Sequence, residues 1–275
     1  MQGDVLELGS CLELSAAEPL IADAFAAQRR RLLRTARTFT DAEWGSPTRC
    51  TEWDVREVIL HVIGATDACR ETLTGERPVF EEDFDPNASP DAFVRGRAGE
   101  PIERTLRSLD DAIDSAIDEI VTQRAARSAS QVTAVWGRPI DWRLFVTHMF
   151  WDGWIHERDV LTTLGREPEL ADSETRLAAA YGLHTAGIVA GLFGVPLDAT
   201  LVLEGSGGGT FRIVVDGLDV RITVTPLAAR AGALNGDVVE VTDALAGREP
   251  LLDTVLDAPP ELVTALSGVS DFLRG

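Results

Sequence analysis

Apolar residues recur at helical spacing in several separate stretches of the chain. Between Ala17 and Phe39 they fall at Leu20, Ile21, Ala24, Leu32, Leu33 and Ala36, which predicts a first helix. The segment "TDAEWGSPTRCTEWDVREVILHVIGATDACRETLTG" breaks at Gly45-Ser46-Pro47 and restarts at Asp54, an N-cap with Glu57 three residues on as its capping-box partner. A second helix is therefore predicted from Val55 to Leu73, ending near Gly75. Residues 76 to 101 are rich in Pro, Gly and acid, the texture of a long connection, with room for one short helix starting at Pro90; long connections of this kind often form lids. From Pro101 to Arg124 acids alternate with Leu and Ile at a 3.6-residue period, and Asp141 can cap a further helix through Leu161. Four amphipathic helices of similar length predict a bundle.

Beyond it, "SETRLAAAYGLHTAGIVAGLF" predicts another helix, after which the pattern changes. "ATLVLEG", "TFRIVVDG" and "DVRITVTPL" are short β-branched runs divided by Gly and Asp, as antiparallel strands are, and "EGSGGGTF" between two of them predicts a hairpin turn. After "NGDVVEVTD" the pattern returns to helix, with Pro250, Pro259 and Pro260 marking starts. The expected class is α+β: a four-helix bundle over residues 1–170, a connecting helix over 171–197 and a smaller α+β domain over 198–275.

A length of 275 residues suits two such domains, and 45% hydrophobic with 25% charged residues is the composition of a folded soluble protein. The formal net charge of -20 repels phosphate backbones and anionic lipid, so nucleic acid is not an expected partner. Every cation is Arg, which excludes Schiff-base chemistry on a lysine. Cys11, Cys50 and Cys69 are odd in number and lack C-x-x-C spacing, which argues against a disulfide framework and against a thiolate zinc site. No export signal or membrane segment is read, and a cytoplasmic location is expected.

Two of the four histidines lie in "HMFWDGWIHERDVL", residues 148 to 161. On a helix, Asp152 and His156 project from one face, about 6 Å apart along the axis, and can converge on one ion. His148 would stand about 12 Å from His156 along that axis, too far to share a small ion with it. Asp159 is placed to accept from an imidazole N–H and fix its tautomer. A third ligand must come from another helix, and His61, a lone imidazole in the apolar run "VREVILHVIG", is the candidate. Two imidazoles and a carboxylate with a position left open make a catalytic zinc site, which iron, manganese or nickel would also accept. The pattern alone equally admits a satisfied core histidine at 61 and a simple helical hydrogen-bonded pair at 152 and 156. His184, among Ala, Gly and Leu, is read as structural, Trp151 and Trp154 as packing, and Glu82, Asp83 and Asp85 as a solvated loop.

"EWGSPTRCTEWDVREVILHVIG", residues 43 to 64, resembles the W-x-x-P-T-x-C-x-x-W-x-V-x-x-V-x-x-H signature of the mycothiol-dependent maleylpyruvate isomerase family, and "HMFWDGWIHERDV" resembles that family's fourth-helix motif. The resemblance covers about residues 17 to 165. It implies a DinB-like metal-binding four-helix bundle with His61, Asp152 and His156 as ligands of a divalent metal, zinc being expected, and with His148 and Asp159 beside them at the cofactor. The family's expected Glu is replaced here by the shorter Asp152, a departure that bears on substrate class. "NGDVVEVTDALAGREP" resembles part of a sterol-carrier-like C-terminal domain and implies Arg248 as a functional arginine; an ordinary surface Arg after a helix-ending Gly247 is the alternative. The implied function is a metal-dependent enzyme using mycothiol or a related low-molecular-weight thiol, for cis/trans isomerisation or for S-transfer to a small-molecule electrophile. A non-catalytic, metal-stabilised binding or stress-response protein is the alternative, and a metal-dependent hydrolase with His148 as base is a third.

Overall fold

A computed structural model describes residues 6–8, 18–76, 84–85, 88–126, 131–134, 139–225, 234–251, 255–256, 260 and 262–267. The chain divides into two compact units, one of residues 21–168 and one that joins residues 1–20 to 169–275.

The first unit is helical. Strand β1 (Leu6–Leu8), treated below, precedes α1 (Glu18–Ala36), the short α2 (Asp41–Trp44), α3 (Val55–Thr74), α4 (Ala88–Gly96) and α5 (Ile102–Ala126). A hairpin of β2 (Gln131–Thr133) and β3 (Pro139–Asp141) then leads into α6 (Trp142–Thr163). The helix ends follow local chemistry. Asp54 accepts from the Glu57 backbone N–H at 2.9 Å while the Glu57 carboxylate accepts from the Asp54 N–H at 2.9 Å, and Gly75, at φ 73°, takes the left-handed turn that stops α3. Asp141 caps α6 through the Arg143 N–H at 2.9 Å and is itself clamped by the Arg143 guanidinium. The core joins Leu32 and Leu33 of α1, Val58, Ile59 and Val62 of α3, Leu109 and Ile113 of α5, and Val160 and Leu161 of α6. These are the four long helices expected of the bundle; α2 is not among the predicted elements, and α4 begins two residues before Pro90.

The second unit holds α7 (Asp172–Leu192), β4 (Leu197–Glu204), β5 (Gly209–Asp216), β6 (Asp219–Thr225), β7 (Leu234–Asp237), α8 (Val238–Leu245) and β8 (Val255–Leu256). The sheet order is β1-β6-β5-β4-β7-β8, antiparallel except where β7 runs parallel to β4. Strands β4, β5 and β6 answer to the three β-branched runs, and the glycine-rich stretch is the β4–β5 turn. Two features add to this. Helix α7, in the stretch expected to be a connecting helix, packs on β5 and β6, where Gly187 faces Val215 and Val220, and Gly191 lies so close to the Gly217 carbonyl that a Cβ would come within 1.9 Å of it. The edge strand β1 comes from the far N-terminus, pairing Leu6 with Val224.

Candidate metal centre

Helix α3 carries His61 on its buried face, and α6 carries Asp152 and His156 one turn apart on a face that meets it. His61 Nε2 lies 3.2 Å from Asp152 Oδ1, and His156 Nε2 lies 3.5 Å from the same oxygen. The imidazole centroids are 4.7 Å apart with the rings edge to face, and one donor atom from each of the three residues falls within 4.8 Å of the others. With zinc–nitrogen and zinc–oxygen bonds of about 2.0–2.2 Å, neighbouring ligands of a tetrahedral ion stand roughly 3.3 Å apart, so the two measured edges match that spacing. Asp152 Oδ2 is buried without a hydrogen-bond partner, an orphaned acceptor of the kind a cation satisfies. The donor set fits a divalent ion.

A second layer orients these groups. Asp159, fully buried, accepts from His156 Nδ1 at 3.1 Å; a carboxylate only accepts, so one ring proton sits on Nδ1, and Nε2 is the atom that faces Asp152 and would bind a metal once its own proton is displaced. The other Asp159 oxygen accepts from Arg49 Nε at 3.0 Å, and the Cys50 thiol donates to Oδ2 at 3.1 Å. Both residues come from the loop before α3, which Thr48 folds by donating to the Trp53 carbonyl at 2.8 Å and accepting from the Cys50 N–H at 3.1 Å. The same loop lays the Trp53 ring over His61 with centroids 4.8 Å apart, and its indole N–H is anchored on Asp91 of α4 at 3.2 Å. His61 Nδ1 has no such acceptor, so that ring is held by its Nε2 contact with Asp152 and by the Trp53 face.

The charges are coupled. Burial pushes His61 below the usual imidazole range, more strongly than the Asp152 carboxylate raises it. Burial would also drive Asp152 and His156 toward their neutral forms, but the two imidazoles hold Asp152 well below the carboxylate range, and Cys50 and Asp152 hold His156 well above the imidazole range. The cluster as it stands thus keeps one proton that a divalent ion would displace.

The remaining expected residues are spread out. His148 is half-buried one turn before Asp152, its ring 6.3 Å from that of Trp151, outside the group of three. Arg248 belongs to the second unit. Its N–H donates to the Asp243 carbonyl and that of Gly247 (φ 77°) to Ala244, the paired bonds that close a helix on a left-handed glycine, and its guanidinium donates to the Ala246 carbonyl at 3.0 Å. His184 is buried in α7 and pushed down to about 4 by desolvation. Glu82 and Asp83 lie outside the described residues. Counting cysteines sets all three aside, yet Cys50 Sγ stands 3.5 Å from His156 Nδ1 and forms a second possible donor group with His156 and Asp159. Gln28, Arg29 and Arg49 also escape the sequence reading; the one signal for Arg29 is its place in the stripe from Phe25 to Leu32 and Leu33.

Residues 25–161 match the mycothiol maleylpyruvate isomerase N-terminal domain. The crystal structure of the mycothiol-dependent maleylpyruvate isomerase superposes with a TM-score of 0.59 at 14% identity, covering 90% of this chain and 95% of that one. A histidine-to-alanine variant of that enzyme gives a TM-score of 0.61 at the same identity and coverage. At this identity the likeness establishes the fold, helical unit and sheet unit together. No curated protein matches the chain in sequence.

Proposed function

Because the chain belongs to the mycothiol maleylpyruvate isomerase family, its residues 25–161 being that family's N-terminal domain, we propose that it is a metal-dependent enzyme in which a low-molecular-weight thiol, mycothiol, isomerises a small electrophilic olefin. His61, Asp152 and His156 are the proposed ligands, with zinc as the ion. The observation that carries this is the convergence of donor atoms of His61, Asp152 and His156 from α3 and α6, with both imidazoles on Asp152 Oδ1 and the other oxygen of that carboxylate, Oδ2, buried without a partner.

When bound, the ion supplies a net positive position at which a thiol ionises near neutral pH. Mycothiol held there would supply the nucleophile for reversible addition to the activated double bond of a cis substrate, the chemistry by which the bond could turn and the thiol be recovered. The residues of the chain prepare that position. Asp159 keeps the His156 proton on Nδ1, and Arg49 and Cys50 keep Asp159 from turning. Trp53 covers one face of His61 and so limits the water that reaches it. On the family resemblance Arg248 is proposed to bind a substrate carboxylate by a bidentate contact, and His148, a turn from Asp152, to contact the thiol.

The test is elemental analysis of the purified protein, followed by conversion of a cis-configured activated diacid with and without mycothiol. One equivalent of divalent metal and thiol-dependent turnover that a chelator abolishes are expected. Lack of stoichiometric metal, or activity indifferent to chelation, refutes the proposal; accumulation of a stable thioether in place of the trans isomer would assign S-transfer instead.

A further inference from the structure

The ligand-bearing turn of α6 is gripped from behind by two fully buried residues of α1. Gln28 Nε2 donates to the Gly153 carbonyl at 2.9 Å, and the Arg29 guanidinium donates to the Met149 carbonyl at 2.7 Å. These carbonyls lie one residue after and three residues before Asp152, and each has a second lone pair to offer beyond its helical bond. Arg29 Nε donates to Thr66 Oγ1 of α3 at 3.0 Å, and its Nη1 donates to Gln28 Oε1, so one guanidinium ties three helices together. Gly153 makes this possible. A Cβ there would lie 1.4 Å from Arg29 Nη1 and 2.8 Å from Gln28 Oε1, so the missing side chain is the slot in which the pair sits.

A mid-helix glycine weakens α6, and a guanidinium without solvent contact is costly unless its charge and its donors are met. The neighbouring buried cation, Arg31, has a direct two-point ion pair with Glu157, at 2.9 and 2.7 Å. Arg29 spends its hydrogen bonds on neutral oxygens, and Asp152 is the foremost of the anions that offset its burial. A cation held by backbone carbonyls beside a carboxylate, in a slot cut for it, points at the residue next to the slot.

We infer that Arg29, with Gln28 and the Gly153 slot, is the positioning device of the metal grip: it sets the α6 turn against α3 so that Asp152 and His156 meet His61. This rests on the metal reading given above. Arg29 bonds the Met149 carbonyl, Gln28 and Thr66 and is not one of the three donor residues, so its action is through the backbone that carries Asp152.

The experiment measures zinc affinity by chelator competition, under conditions where circular dichroism shows each protein folded, for wild type, Gly153→Ala, Arg29→Lys, Thr66→Val and a core control, Ile113→Val. Helix propensity alone favours Ala at 153, so a purely structural glycine would tolerate the change, whereas expulsion of Arg29 should weaken zinc binding by about tenfold or more, the usual consequence of removing a support of a ligand. Lysine at 29 keeps the charge but cannot span Thr66 and Met149 together, and should lose about as much. Thr66→Val, nearly isosteric and expected to fold even if the others do not, removes one acceptor and should cost about threefold. Ile113→Val should lower stability and leave affinity unchanged. Wild-type affinity in folded Gly153→Ala, Arg29→Lys or Thr66→Val overturns the inference and leaves the metal reading standing; absence of zinc from the wild-type protein defeats the metal reading itself.

Discussion

Replacing Asp159 with Asn removes one charge and almost no volume, and the consequence can be worked through from its three partners. Oδ1 receives Arg49 Nε at 3.0 Å, while Oδ2 receives His156 Nδ1 at 3.1 Å and the Cys50 thiol at 3.1 Å. An amide has one oxygen to serve both sides. Arg49 is a permanent cation and should take it, which turns the amide NH2 toward His156 Nδ1. Nδ1 must then become an acceptor, so the ring proton moves to Nε2, the atom that faces Asp152. A metal on Nε2 forces the one remaining ring proton onto Nδ1, where in the variant it would face the amide NH2 instead of an acceptor. Supporting carboxylates of this kind are worth about 10–100-fold in metal affinity, which is about 1.4–2.7 kcal/mol. Without metal the loss of charge-assisted hydrogen bonds should cost about 1.5–3 kcal/mol of stability. The assays are zinc competition and urea unfolding of the metal-free and metal-loaded forms. An Asp159→Asn protein that binds zinc within about twofold of wild type would refute the tautomer argument, whatever its stability.

Three further outcomes are expected. Zinc at about a hundred times its Kd should stabilise the helical unit by about 2.7 kcal/mol, and His61→Ala should lose that increment in a thermal melt with and without zinc. His184, held down to about 4 by burial, is neutral when folded, whereas the unfolded chain takes up the proton near about 6.5. Its contribution is therefore full above that value and is lost as pH falls toward 4, by about 3 kcal/mol in total, and His184→Leu should flatten unfolding free energy against pH over that window. Gly191→Ala places a Cβ 1.9 Å from the Gly217 carbonyl, backbone that has little room to give, and should cost about 1–3 kcal/mol by urea unfolding despite the better helix propensity of Ala.

The elements that can be read from sequence are those whose cause is local. Helix α3 begins and ends on its own signals, the Asp54–Glu57 box and Gly75, and α6 begins on Asp141. His61 stands out because an imidazole interrupts an apolar stripe, and the spacing of Asp152 and His156 is a property of a single helix. What escapes depends on partners far away in the chain. Asn235-Gly236-Asp237 has the local character of a turn, yet it completes a strand because β4 lies alongside it. Helix α7, apolar all round, reads as a connector from its place between two domains, although that composition marks a helix covered on most sides. Cys50 and His156 are 106 residues apart, and nothing in cysteine counting brings them to 3.5 Å.

Several local rules are broken side by side around the proposed ligands. Helix α6 carries a glycine in its middle and buries Asp159, His156 and Glu157 within one turn; the facing part of α1 buries Gln28, Arg29 and Arg31, in a chain whose other arginines mostly reach solvent or surface acids. Each of these choices lowers the stability of an isolated helix or costs desolvation, and each is answered by a specific partner on another element: Gly153 by Arg29, Glu157 by Arg31, Asp159 by Arg49 and Cys50. By contrast α5, which contributes no residue to the cluster, buries Leu109, Ala112, Ile113, Ala116 and Ile120 on one face, with Thr105 as its one buried polar residue. Violations of local preference that are mutually compensated around one point are typical of a functional centre, so the energetics of α1 and α6 support the proposed ligand site by a route separate from resemblance to other proteins.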